Sequence, residues 1–179
     1  QWVQALYPYS DEVKQQIAGL ESTLKDAPNW WLPFLLMGVL PAICEELAFR
    51  GFILAGFERG GRVGLAIVLS SLTFGLVHMI PQQVLNAALL GLLLGLLAVR
   101  SGSLLVPILF HLLHNGLMVL HNLHGADLAR WAGTEQTAFW TVRADAVRYE
   151  MPLLFICAVG ASLLIGTIWR GRPAESSAT

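Results

Sequence analysis

At 179 residues the chain is long enough for one domain with a sizeable core, and 55% of it is apolar while only 13% is charged. That charged share is roughly half that of a soluble domain, and a mean hydropathy of +0.61 argues against a soluble globular protein and for an integral membrane one. A net charge of −1 gives no basis for binding nucleic acid, and the two cysteines, Cys44 and Cys157, both lie in apolar sequence and define no disulfide framework.

The chain opens on Gln1 rather than Met, which suggests a fragment or processed form of a longer chain or of a permease complex. Gln1 to Asp26 is too polar to hold the apolar region of a signal peptide. Within residues 1–29, positions 10–26 read as an amphipathic helix, with Ser10 as N-cap and Asp11 and Glu12 in the first turn. Val13, Ile17, Leu20 and Leu24 give it one apolar stripe, so it is expected along the membrane surface or as a linker. Trp30 and Trp31 suit an interfacial anchor.

Trp31 to Phe57 is long enough to span a bilayer, yet Pro33 and Pro41 interrupt it and Glu45, Glu46 and Arg50 burden it. A broken helix lining a cavity is expected there rather than a lipid-facing rod. Val63 to Ile80 reads as a second span, ended by Pro81. Val84 to Val99 reads as a third, with Gly91 and Gly95 as a close-packing face. Leu104 to Leu123 reads as a fourth span, and residues 124–150, with four acids and three arginines, as an extramembrane loop with room for a short helix. Met151 to Trp169 makes a fifth span within 151–170, followed by a polar tail over 171–179. The expected fold is all-α, a polytopic transmembrane bundle of about five spans around a polar intramembrane cavity.

Five alternating spans put Arg59, Arg62, Arg100, Arg170 and Arg172 on one side, which the positive-inside rule makes cytoplasmic. His78 lies near the other end of its span, so the cavity is expected to open on the side that rule makes exoplasmic.

The stretch Pro41 to Gly51 organises the chemistry. Ionised groups at membrane depth cost roughly 2.5–3.5 kcal/mol each even on the lenient insertion scale, so they are functional candidates by default. Glu46 and Arg50 are four apart on one helix face and can pair. Glu45 is turned about 100° from Glu46 and has no basic residue three or four positions on, which holds it free for work. His78 in the second span, and His111 and Asn115 sharing a face of the fourth, complete the set. His114, Met118, His121 and Asn122 widen that stripe, which must face protein or water. Water activation uses such groups: a carboxylate as general base, an imidazole to share the proton, and a second imidazole with a carboxamide to bind a developing oxyanion. Glu45, His78, His111 and Asn115 supply that list for amide hydrolysis.

Glu45-Glu46-x-x-x-Arg50, Phe74-x-x-x-His78 and His111-x-x-x-Asn115 resemble the three motifs of the CPBP family, the CAAX prenyl proteases and bacteriocin-processing or Abi-type membrane proteins. Their order and approximate spacing match over a core at residues 30–123. The resemblance implies an intramembrane endopeptidase in which Glu45 and His78 activate water while His111 and Asn115 serve as oxyanion donors. It also implies a metal-dependent alternative. Glu45, His78 and His111 would make a three-ligand zinc site with water fourth, whereas Asn115 is a poor zinc ligand and a good oxyanion donor, which favours the version without metal or other cofactor. Prenyl-protein processing in the family is cytosolic, which sits against the orientation read from the arginines.

Blander readings stand beside these. Glu46 with Arg50 reads as a structural pair supporting the site. His78 and His111 taken singly would default to satisfied core histidines, His114 to helix packing or to a supporting position behind the site, and His121 and His124 to solvated positions at a membrane edge. Cys44 reads as a helix-packing residue more readily than as a nucleophile. Neither His-Glu-x-x-His nor Gly-x-Ser-x-Gly occurs. The expected partners are the lipid bilayer and a membrane-associated peptide or protein substrate, in a bacterial inner membrane. The alternative is a non-catalytic membrane module, such as a permease partner, scaffold or immunity-type protein, keeping the same buried polar network.

Overall fold

The computed structural model describes residues 8–29, 31–133, 140–143 and 146–149. Its elements are α1 (Asp11–Lys25), a long interrupted helix α2 (Trp31–Glu58), α3 (Val63–Leu76), α4 (Pro81–Ser101), α5 (Leu105–Trp131), and the strands β1 (Trp140–Arg143) and β2 (Ala146–Tyr149). The chain divides into two compact units, Gln1–Val119 and Leu120–Thr179, and α5 runs through the boundary. The all-helical membrane architecture read from the sequence holds for the first unit. Among the described residues α2, Gln83–Ser101 within α4, and α5 are long and apolar enough to cross a membrane, while α3 is apolar but shorter. The fifth span expected at Met151 to Trp169 lies outside the described residues.

α1 forms as its sequence dictates. Ser10 accepts a hydrogen bond from the Val13 amide at 3.4 Å, and Lys14 pairs with Asp11 at 2.8 Å. Proline then shapes α2. Pro41 has no N–H to donate, and the turn before it, Leu35–Val39, is wound as a π-helix that returns to α-helix at Leu40–Glu46. A second π-helical stretch, Leu47–Leu54, carries Arg50. This is the broken helix that two prolines and three charges foreshadowed. The Ser70 hydroxyl of α3 donates to the Phe49 carbonyl at 2.9 Å, a bond into the irregular stretch from a neighbouring helix.

α3 and α4 lie against each other through glycines. A methyl group at Gly75 would lie 2.6 Å from the Val84 carbonyl oxygen and 2.9 Å from the Ala88 methyl. One at Gly91 would lie 3.1 Å from Ser71, and one at Gly95 3.1 Å from Ile67. Gly91 and Gly95 therefore face α3, the close approach that small residues allow in a membrane. Phe34 of α2 likewise fills the space over Gly116 of α5, where a methyl would come within 2.6 Å of its ring.

Two small cores lie among the described residues of this unit. Leu54, Ala66, Ile67 and Ala98 cluster at the end that carries Arg59, Arg62 and Arg100. Phe49, Phe74 and Ala87 cluster deeper in, beside the polar site. Much of the remaining apolar surface faces outward, including Phe52 and Leu113, as lipid-facing helix surfaces do.

Three boundaries differ from the sequence reading. The second apolar segment is helical only to Leu76, so His78 sits in the turn between α3 and α4 rather than in the span. Pro81 explains this: it starts α4, and Ile80 before it is extended (ψ 117°), as residues before proline prefer. The fourth helix continues past Leu123 to Trp131, with Ala126 and Ala129 buried and Asp127 paired to Arg130 at 3.3 Å. In the second unit, residues 140–143 and 146–149 also pair as an antiparallel ladder, Trp140 opposite Tyr149 and Arg143 opposite Ala146. Uninterrupted helical sequence and β-branched residues, rather than loop composition, decided these segments.

Candidate active site

The site is built on Glu46. Its carboxylate oxygen Oε1 accepts from Arg50 Nη1 at 2.7 Å, and both side chains are fully buried. The same oxygen lies 2.9 Å from His111 Nδ1, a bond between α2 and α5. Arg50 Nη2 donates to the Gly91 carbonyl at 3.0 Å, which ties α2 to α4. The absence of a side chain at Gly91 lets α3 close on that turn while its carbonyl serves the guanidinium. Arg50 also lies over the Phe74 ring, 4.6 Å from its centroid, a contact worth roughly 2 kcal/mol when desolvated.

Phe74 is the hub on which the imidazoles rest. Its ring meets His78 edge-on at 5.0 Å, His111 at 5.9 Å and Phe49 at 5.0 Å. His78 is fixed by a second contact, Nδ1 to the Phe74 carbonyl at 2.8 Å. That bond makes Nδ1 the protonated nitrogen and leaves Nε2 as an acceptor in the neutral ring. The next residue, Met79, has φ +59°, a left-handed conformation uncommon for a side chain of this kind. The Ile80 amide closes on the His78 carbonyl at 2.7 Å, so the turn that presents His78 is tight and strained.

His111 has the same asymmetry. Its Nδ1–H donates to the Glu46 carboxylate, so Nε2 faces the cavity and lies 3.7 Å from Glu45 Oε2. In the neutral ring Nε2 is an acceptor, and it donates only when the ring is an imidazolium. The oxyanion role that the resemblance implies for His111 therefore requires its charged form, a condition spacing on one helix does not reveal.

An open cavity of about 490 Å³ collects these groups. Glu45, His78, His111 and Asn115, three of them far apart in sequence, all line it. Glu46 and Arg50 lie beneath its wall, fully buried. Glu45 keeps 32% of its side-chain surface exposed, so adjacent carboxylates face opposite environments. Gln83, Asn86, His114 and Met118 line the cavity as well. His114 thus stands at the cavity, one turn from His111, and Cys44 is exposed rather than packed. Gln83 and Asn86 were missed by the sequence reading. Their signal was present as carboxamides three apart in the first turns of a helix that is apolar from Ala87 to Val99. Among the described residues no three His, Cys, Asp or Glu side chains stand grouped as the ligands of a metal would be. Glu45, His78 and His111, which all line the cavity, are the residues that would have to converge to hold one.

Membrane-crossing helices around an open cavity, with a carboxylate, imidazoles and a carboxamide on its wall and a locked ion pair beneath, define an integral membrane protein equipped for polar chemistry inside its bundle. Residues 27–117, half of the chain, match the family model described as "Type II CAAX prenyl endopeptidase Rce1-like", and the chain belongs to that family. The family points to a protease. One curated relative is an "Uncharacterized 24.3 kDa protein" of Escherichia coli, 33% identical over 93 residues, which are 49% of this chain and 43% of that protein. The chain thus spans under half the length of that relative. No solved structure matches it significantly.

Proposed function

We propose that the chain is an intramembrane endopeptidase that hydrolyses a peptide bond of a membrane-associated substrate in a bacterial inner membrane. Glu45 takes a proton from a water held between its carboxylate and His78 Nε2, and the hydroxide attacks the scissile carbonyl carbon. His111 as imidazolium and the Asn115 carboxamide donate to the oxyanion. Collapse of the tetrahedral intermediate breaks the C–N bond, and the leaving amine recovers the proton from Glu45. Glu46 and Arg50 carry no step; they hold His111 and tie three helices together. The observation that carries this reading is that one cavity collects Glu45, His78, His111 and Asn115 from α2, the α3–α4 turn and α5.

No bound metal is required in this mechanism, so chelator-treated protein should keep its turnover. The decisive comparison is Glu45→Gln. An isosteric amide cannot accept the proton, and turnover should fall by about 10²–10⁴ while thermal stability in detergent stays unchanged. Stability falling in step with any partner binding, and no turnover in the parent protein, would instead mark a non-catalytic membrane module. Turnover lost on chelation and restored by zinc would replace the metal-free mechanism.

A further inference from the structure

A peptide bond inside a helix cannot be attacked readily, because its carbonyl is already bonded within the helix and its face is covered. The substrate must therefore enter the cavity extended. Unwinding it strips the substrate's amides of their partners where lipid offers none, and the cavity has to supply replacements. The groups used by the proposed chemistry cannot do so, because each is committed to water or to the oxyanion.

Gln83 and Asn86 are available for that task. They stand three residues apart in the first turns of α4, with Ala87 and Leu90 continuing the same face along the cavity. Both residues are exposed, and both line the cavity that holds Glu45 and Asn115. Among the described residues neither Lys nor Arg lines it. Side chains three apart on a helix lie about 5–6 Å from each other, and alternate residues of an extended chain repeat about every 6.6–6.8 Å. A carboxamide both donates and accepts, so it can take an amide N–H and a carbonyl from the edge of a strand at once. A charged side chain there would pay desolvation and serve only one of the two.

We propose that Gln83 and Asn86 form a main-chain clamp that holds the substrate segment beside the scissile bond in extended form. This rests on the endopeptidase reading. The clamp acts on every sequence alike, so it positions the bond and leaves selection by side chain to the apolar lining, Leu90 and Met118 among it.

The test uses the full chain in detergent and a prenylated CAAX-type peptide with a fluorophore and quencher. Ester analogues replace single backbone amides flanking the scissile bond, removing one N–H and weakening one carbonyl with little change in shape. In the parent protein one or two of these esters should lower kcat/KM by about 10- to 100-fold. Gln83→Leu or Asn86→Leu should lower it similarly on the amide peptide, mainly through KM. The matching ester should then add no further loss. Rescue by Gln83→Asn, which keeps the carboxamide, would separate clamping from cavity shape. Additive losses, or losses confined to kcat, overturn the clamp. Fluorescence anisotropy of the same peptides on Glu45→Gln protein reads the clamp without turnover, and equal binding of amide and ester peptides also overturns it. A parent protein that binds but does not cleave defeats the endopeptidase reading while the anisotropy still judges the clamp. One that does neither overturns both.

Discussion

The buried floor of the site and its open wall use the same residue types for opposite ends. On the floor, Glu46 is fully buried and bonded to Arg50 and His111, while Arg50 reaches across to the Gly91 carbonyl. On the wall, one residue away in sequence, Glu45 remains partly exposed beside His111. The difference follows from a turn of about 100° per residue on a helix. It teaches that charge at membrane depth is not in itself a sign of chemistry. A group that is paired and enclosed holds helices together, and one that is held at an opening can react.

Breaking the floor should have the largest effect. Glu46→Ala or Arg50→Ala leaves an uncompensated charge at a fully buried site, and about 3–5 kcal/mol of stability should be lost. The readout is folded yield and thermal stability in detergent; native-like values for both would remove the distinction between floor and wall. Asn115→Ala tests the wall. Turnover should fall by about 10²–10³, equivalent to ~2.7–4 kcal/mol of transition-state stabilisation, with no change in melting temperature. A stability loss matching the activity loss would move Asn115 to the floor.

Smaller effects sharpen the same contrast. Gly75→Ala forces a methyl to within 2.6 Å of the Val84 carbonyl oxygen, and the α3–α4 seam should lose about 1–3 kcal/mol. A Tm equal to that of the parent would show that the helices can shift without strain. Met79→Gly relieves the left-handed backbone beside His78 and should be neutral or stabilising by up to ~1 kcal/mol, whereas Met79→Val should destabilise. Equal Tm values for the two variants would dismiss strain at that turn.

Spacing within one helix made part of this legible in the sequence. Glu46 and Arg50 are four apart on α2, so helical periodicity alone reveals their pairing, as it does the small face of Gly91 and Gly95. Ser10 likewise announced the start of α1. What spacing cannot show is contact between helices. The His111–Glu46 bond joins residues 65 positions apart, and it decides which nitrogen of His111 faces the cavity. The same holds for Arg50 on the Gly91 carbonyl and for Phe74 beneath both imidazoles. The position of His78 was misread for a different reason. Val77, Met79 and Ile80 continue the apolar run, and hydropathy does not register that Pro81 ends the helix early.

The shortness of α3 has a consequence for supply of the second reactant. Fourteen residues rise about 21 Å, well short of a hydrocarbon core of roughly 30 Å. A bilayer meeting so short an element thins locally or admits polar solvent at its end. With the arginine end of α3 held at one surface, the irregular backbone from Val77 to Ile80 would lie below the plane of the headgroups on the other, a depth at which non-helical chain persists only beside protein or a wet space. Hydrophobic mismatch would thus carve a dimple above the site, through which bulk water reaches His78 without a dedicated channel.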